Sequence, residues 1–76
     1  MSELVILDAK GLKCPLPVLK ARKAMREVPM GGVLRVIATD PGAVKDFEHF
    51  CKTTGHQLID SREESGILVF DIRKAG

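Results

Sequence analysis

Tryptophan and tyrosine are absent and phenylalanine occurs only three times, so aliphatic side chains must build the core. Cysteine is scarce as well. Cys14 and Cys51 stand far apart in the chain, which excludes the dense disulfide framework of a small secreted domain. No apolar run approaches the roughly 20 residues that a membrane-spanning helix needs. The opening Met1-Ser2-Glu3 has neither a basic segment nor a long apolar one, so no secretory signal is expected there. These features together predict a reduced, cytoplasmic setting and no direct membrane contact. With 45% hydrophobic and 29% charged residues, the 76-residue chain is predicted to form one domain over residues 1–76 rather than a disordered tail. Its formal net charge of +2 permits an acidic partner but lacks the dense basic stripe of a dedicated nucleic-acid binder. Direct nucleic-acid contact is therefore not expected.

Periodicity supplies the elements. Leu4 to Leu7 is a short, β-branched-rich strand candidate, followed by a loop over residues 8–13 that turns at Gly11. Pro15 and Pro17 mark the start of a helix, where a missing N–H is tolerated. The helix is predicted to run to Val28, with Pro17, Val18, Ala21, Ala24, Met25 and Val28 on one stripe. Pro29 ends it and Gly31-Gly32 turn the chain. Val33 to Thr39 reads as a second strand. Asp40-Pro41-Gly42 then reads as a second helix start, with Asp40 as the cap. Ala43, Val44, Phe47, Phe50, Cys51 and Thr54 form that helix's buried stripe, and Gly55 closes it. Gln57–Arg62 and Ile67–Arg73 are two strands joined by Glu63-Glu64-Ser65-Gly66. The order β-α-β-α-β-β with right-handed crossovers gives a two-layer α/β (α+β) sandwich, a four-stranded mixed sheet with both helices on one face. The first two strands are apolar in both phases, so the sheet's other face should be partly apolar.

The chemistry concentrates at Cys14-Pro15-Leu16-Pro17. Cys14 is expected at the N-cap of the first helix, where the helix dipole and the unpaired N–H groups favour its thiolate and should lower its pKa. Lys13 beside it, and Lys10 or Lys20 if they fold over it, would act in the same sense. Pro15 and Pro17 stiffen the loop, but they also remove two N–H donors. Position 17 is Pro rather than Cys, so there is no adjacent resolving thiol, which counts against a stand-alone thiol reductase. Cys51, on the stripe with Phe47 and Phe50, reads as a core cysteine. His49 and Cys51 point to different faces of one helix, so no metal site is expected. Gly31-Gly32 lacks the Lys-Ser/Thr of a phosphate loop, and no general base is visibly paired with Cys14. No cofactor is called for. Asp40 is expected to act as a cap, since nothing in the sequence sets it beside Cys14. Lys20, Arg22, Lys23 and Arg26 lie off the first helix's buried stripe, with Leu16 and Leu19 among them. That pattern is what a partner-docking surface would look like, with Leu19, Lys20 and Lys23 at its centre. The alternative for the same basic face is a non-catalytic RNA-binding or regulatory module.

Three stretches together carry a family resemblance. They are Leu7-Asp8-Ala9-Lys10-Gly11-Leu12-Lys13-Cys14-Pro15-Leu16-Pro17, Thr39-Asp40-Pro41-Gly42-Ala43, and Phe50-Cys51 with Gly55-His56. The chain resembles the TusA/SirA-like sulfur-carrier proteins nearly end to end. The resemblance implies the same two-layer sandwich and a sulfurtransferase in the relay sense only, without stand-alone turnover. It further implies that Cys14 accepts sulfane sulfur as a persulfide from a cysteine desulfurase or rhodanese-like donor and passes it to a downstream acceptor protein. In the best-known branch the sulfur ends in thiolation of a tRNA wobble uridine. Other branches serve molybdenum-cofactor maturation, sulfur oxidation or selenium metabolism.

Overall fold

A computed structural model describes residues 3–75. Met1 and Ser2, on which the reading of the N-terminus rests in part, lie outside the described residues. The elements are β1 (Leu4–Ala9), α1 (Leu16–Met25), β2 (Val33–Ala38), α2 (Ala43–Thr54), β3 (Gln57–Glu64) and β4 (Ile67–Arg73). The sheet order is β1-β2-β4-β3, with β1 parallel to β2 and the other two pairings antiparallel. From β1 to β2 and from β2 to β3 the chain moves the same way across the sheet. Same-handed crossovers therefore put α1 and α2 on one face. One core results. Leu34, Val36 and Ala38 of β2 and Leu68, Phe70 and Ile72 of β4 point up into Ala21, Met25, Ala43, Phe47 and Phe50. Phe47 stacks on Phe70 with ring centroids 4.7 Å apart. The expected two-layer mixed sandwich is the observed fold.

Several boundaries differ from the sequence reading. Regular α1 stops at Met25 rather than Val28, because Arg26, Glu27 and Val28 donate to carbonyls three residues back, a tighter 3₁₀-type turn. Val28 is nevertheless fully buried, as the stripe required. Asp40 does not cap α2; the cap position is Gly42, although the Asp40 carbonyl accepts from Ala43 N at 3.0 Å. Thr54 is exposed rather than buried. In the hairpin, Ser65 (φ 53°) and Gly66 (φ 82°) suffice to turn the chain, the double positive-φ pattern of a two-residue hairpin loop, so β3 extends through Glu64. The sheet's uncovered face is crossed by a charged ladder. Arg35 and Arg62 flank Asp71, and Arg62 also pairs with Asp60 and Glu64. Exposed apolar surface on that face lies on β1, where Leu4 and Ile6 stand out, Ile6 at 59% exposure.

Candidate functional site

The loops that follow the parallel strands β1 and β2 meet at one end of the sheet. Gly11, in its left-handed turn (φ 81°), donates its N–H to Thr39 Oγ1 at 2.9 Å. Three residues on, Cys14 N–H donates to Asp40 Oδ2 at 2.6 Å, and Asp40 Oδ1 receives Gly42 N–H at 3.4 Å. The Asp40 carboxylate thus ties the β1–α1 loop to the start of α2. Gly42 lies against both: a Cβ there would meet Cys14 Cβ at 3.6 Å and Asp40 Oδ2 at 3.5 Å, ordinary contact distances.

Cys14 is exposed. Its peptide bond to Pro15 is cis, and Pro15, not Cys14, holds the cap position of α1. The thiol therefore stands one residue outside the helix mouth. Its S–H donates to Asp46 Oδ2, from the first turn of α2. This hydrogen bond, with a smaller desolvation effect and then the nearby charges of Asp46 and Asp40, pushes the Cys14 thiol above its usual pKa. The sequence reading expected the opposite shift. The physical reason for the reversal is local. A helix mouth stabilises a thiolate through free N–H groups, but Pro15 and Pro17 have none, and the N–H of Leu16 donates to Lys13 O at 2.9 Å. Two carboxylates then outweigh what remains. Cys51 is 7% exposed, and burial raises its pKa, as a core thiol requires.

The predicted supporting residues surround the thiol unevenly. Lys13, Pro15 and Leu16 are exposed, while Pro17 is buried in the first turn of α1. Leu16 (46%) and Leu19 (53%) lie open on the outer surface of α1. Lys20 and Lys23 are exposed on the side of α1 that faces β1, where they line a groove with Leu7, Ala24 and Glu27. A second groove of about 270 Å³ runs between the two helices, lined by Pro15, Val18 and Arg22 of the α1 segment and by Asp46, His49 and Phe50 of α2. Asp46 and Pro15 belong to both this groove and the thiol site, so the cysteine opens toward α2 rather than toward the two lysines. Sequence reasoning missed Asp46 altogether and placed Asp40 too far away. A signal was present: Asp46 lies three residues after Ala43 and four before Phe50, at the margin of the buried stripe, where a carboxylate must lean toward the neighbouring helix. Among the described residues no three His, Cys, Asp or Glu side chains gather as a metal site, and no helix is long and apolar enough to cross a membrane.

The chain is similar to known proteins along almost its whole length. The family described as Sulfurtransferase TusA matches residues 5–74. A sulfur carrier protein TusA from Allochromatium vinosum is 55% identical over 69 residues, 91% of either chain. One from Pseudomonas entomophila is 50% identical over 68 residues, covering 90% of this chain and 85% of its own. The fold is shared with a SirA-like protein from Desulfitobacterium hafniense, whose crystal structure superposes with a TM-score of 0.81 at 24% identity, over 95% of this chain and 99% of that one. With its Cys-Pro-Leu-Pro element set at the meeting point of two loops, and with similarity along almost its whole length, the chain belongs to the TusA sulfurtransferase family.

Proposed function

We propose that the protein is a sulfur carrier whose Cys14 accepts a sulfane sulfur as a persulfide and relays it to an acceptor protein. The observation that carries this reading is the exposed Cys14 thiol, fixed at the rim by two loops and accompanied by a buried second cysteine. A carrier must present its sulfur to the active sites of other proteins, so an open thiol on a small rigid platform suits the task better than a thiol in a deep pocket. The second cysteine does not compete, since Cys51 lies in the core. The donor is a cysteine desulfurase or a rhodanese-like protein, the acceptor is a second protein, and the setting is the reducing cytoplasm, where both thiols stay free. Leu16, Leu19, Lys20 and Lys23 offer the donor an apolar anchor with a basic rim.

Mass spectrometry tests this reading. Incubation with a cysteine desulfurase and cysteine should add the mass of one sulfur to the peptide containing Cys14, labile to reductant, and Cys14→Ser should abolish the gain. Loading at Cys51, or none at either cysteine, would refute it. Such a negative result would favour the regulatory or RNA-binding alternative for the basic face.

A further inference from the structure

Resting on the reading of Cys14 as the persulfide-forming residue, we propose that Asp46 is the proton acceptor and positioning residue of sulfur loading: its carboxylate aims the thiol and takes its proton as Sγ attacks the donor's sulfane sulfur. Asp46 touches the reacting atom, since the Cys14 S–H donates to its Oδ2. It is half-buried and fixed in the first turn of α2. It also lines the groove between the helices, together with His49 and Arg22, so a proton taken by Asp46 can pass to water in that groove. An acidic residue in a first helical turn also complements the helix dipole, but that role does not require its carboxylate to face a thiol.

The step balances without any oxidant. The donor enters as a neutral persulfide, R–S–SH. Cys14 Sγ forms a bond to the outer sulfur, which keeps its hydrogen, and the donor's S–S bond breaks. The electron pair of that bond leaves on the donor's own sulfur as R–S⁻, while the Cys14 proton moves to the Asp46 carboxylate. The products are Cys14–S–SH, R–S⁻ and a protonated Asp46, which then releases its proton to water. Once loaded, Sγ carries no hydrogen, so the hydrogen bond to Asp46 is lost and the sulfane sulfur stands one bond further out, free for the acceptor. The same contact keeps the unloaded thiol protonated, as its raised pKa indicates, so stray electrophiles meet a thiol rather than a thiolate.

The charged groups acting on Cys14 are Asp46 from α2 and Asp40 from the β2–α2 loop, with Arg22 and His49 lining the groove that Asp46 shares; Lys13, next in the chain, is exposed. The test uses Asp46→Asn and Asp46→Ala, with two readouts that should move in opposite directions. The pH midpoint for alkylation of Cys14 by iodoacetamide, followed by peptide mapping, should fall, making the variants react several-fold faster at neutral pH. Single-turnover loading from a persulfide-bearing desulfurase should instead slow by about tenfold or more, the low end of what a positioned base contributes. Asp46→Glu, which keeps the carboxylate, should recover part of the loading rate. Loading at the wild-type rate in both Asn and Ala variants would overturn the proposal, as would an unchanged alkylation midpoint. So would a joint fall of both rates with the melting temperature, the mark of a merely structural residue. If the wild type itself gains no sulfur on Cys14, the underlying carrier reading has failed rather than the role of Asp46 alone.

Discussion

Removal of the Asp40 carboxylate should loosen the whole thiol loop, and its cost follows from two hydrogen bonds. Asp40 Oδ2 accepts from Cys14 N–H at 2.6 Å, and Oδ1 accepts from Gly42 N–H at 3.4 Å. The first is a short, charge-assisted bond of a kind that contributes about 1.5–3 kcal/mol where water is excluded. The second is long and weak. Asp40 is only half-buried and Cys14 is exposed, so in Asp40→Ala water replaces much of the lost partner. The net cost is then about 1–1.5 kcal/mol, which for a domain of this size lowers Tm by roughly 5–10 °C. Asp40→Asn should separate bonding from charge. Its amide oxygen can still accept from Cys14 N–H, so most of the stability should remain, while loss of the negative charge should lower the Cys14 pKa only slightly, because the Asp46 hydrogen bond is the main cause of its rise. Thermal melting by circular dichroism, paired with the pH dependence of Cys14 alkylation, measures both. An Asp40→Ala protein that melts with the wild type would show that the clamp contributes nothing. An Asp40→Asn protein as unstable as Asp40→Ala would show that charge, not the hydrogen bond, holds the loop.

Cys51→Ala should cost on the order of 1 kcal/mol through the cavity it leaves beside Phe47 and Phe50, with sulfur loading intact, while Cys14→Ser should melt near the wild type and carry no labile sulfur. Asp71, whose pKa is held below the usual carboxylate range by its hydrogen bond from Arg35, adds stability that is present above its unfolded pKa and is lost as pH falls through its lower folded value. Asp71→Asn should therefore unfold at lower urea than the wild type near neutral pH, by about 1.5–3 kcal/mol, with the gap closing in acid; a gap that persists at low pH would contradict the pairing. Lys20→Glu combined with Lys23→Glu should slow sulfur delivery from a protein donor, as raised salt does for the wild type, yet leave iodoacetamide alkylation of Cys14 unaltered. Equal stopped-flow transfer rates for the two proteins at low and high salt would remove those lysines from docking.

The sandwich was legible because each helix writes one apolar stripe and each strand is bounded by Pro, Gly or a short polar turn. At the end of α1 hydrogen bonding departed from the expectation while burial did not, whereas at the end of α2 Thr54, expected on the stripe, is exposed. Val28 lies beyond the regular end of α1, in a tighter turn, but its side chain still fills the place the stripe assigned it. The hairpin shows the reverse limit. Four polar residues read as a loop, whereas two left-handed residues, Ser65 and Gly66, turned the chain and released Glu63 and Glu64 to the strand. Local composition cannot show where pairing resumes, because that depends on the facing strand.

The thiol site was legible as a residue and illegible as an environment. Cys14 was marked by its flanking prolines, which are local. Its electrostatics are set by Asp40 and Asp46, which arrive from another loop and another helix. The helix-dipole argument failed because it counted a terminus without counting its donors. A dipole acts through N–H groups, and here Pro15 and Pro17 lack them while Leu16 gives its own to Lys13 O. The consequence reaches function. A carrier that lowered its thiol pKa would be a better nucleophile toward every electrophile in the cell, whereas a thiol held by a carboxylate stays guarded until a donor docks. On the role proposed for Asp46, the carboxylate that makes Cys14 less reactive at rest is also the one that receives its proton when sulfur arrives, and reactivity toward small reagents should run opposite to competence in the relay.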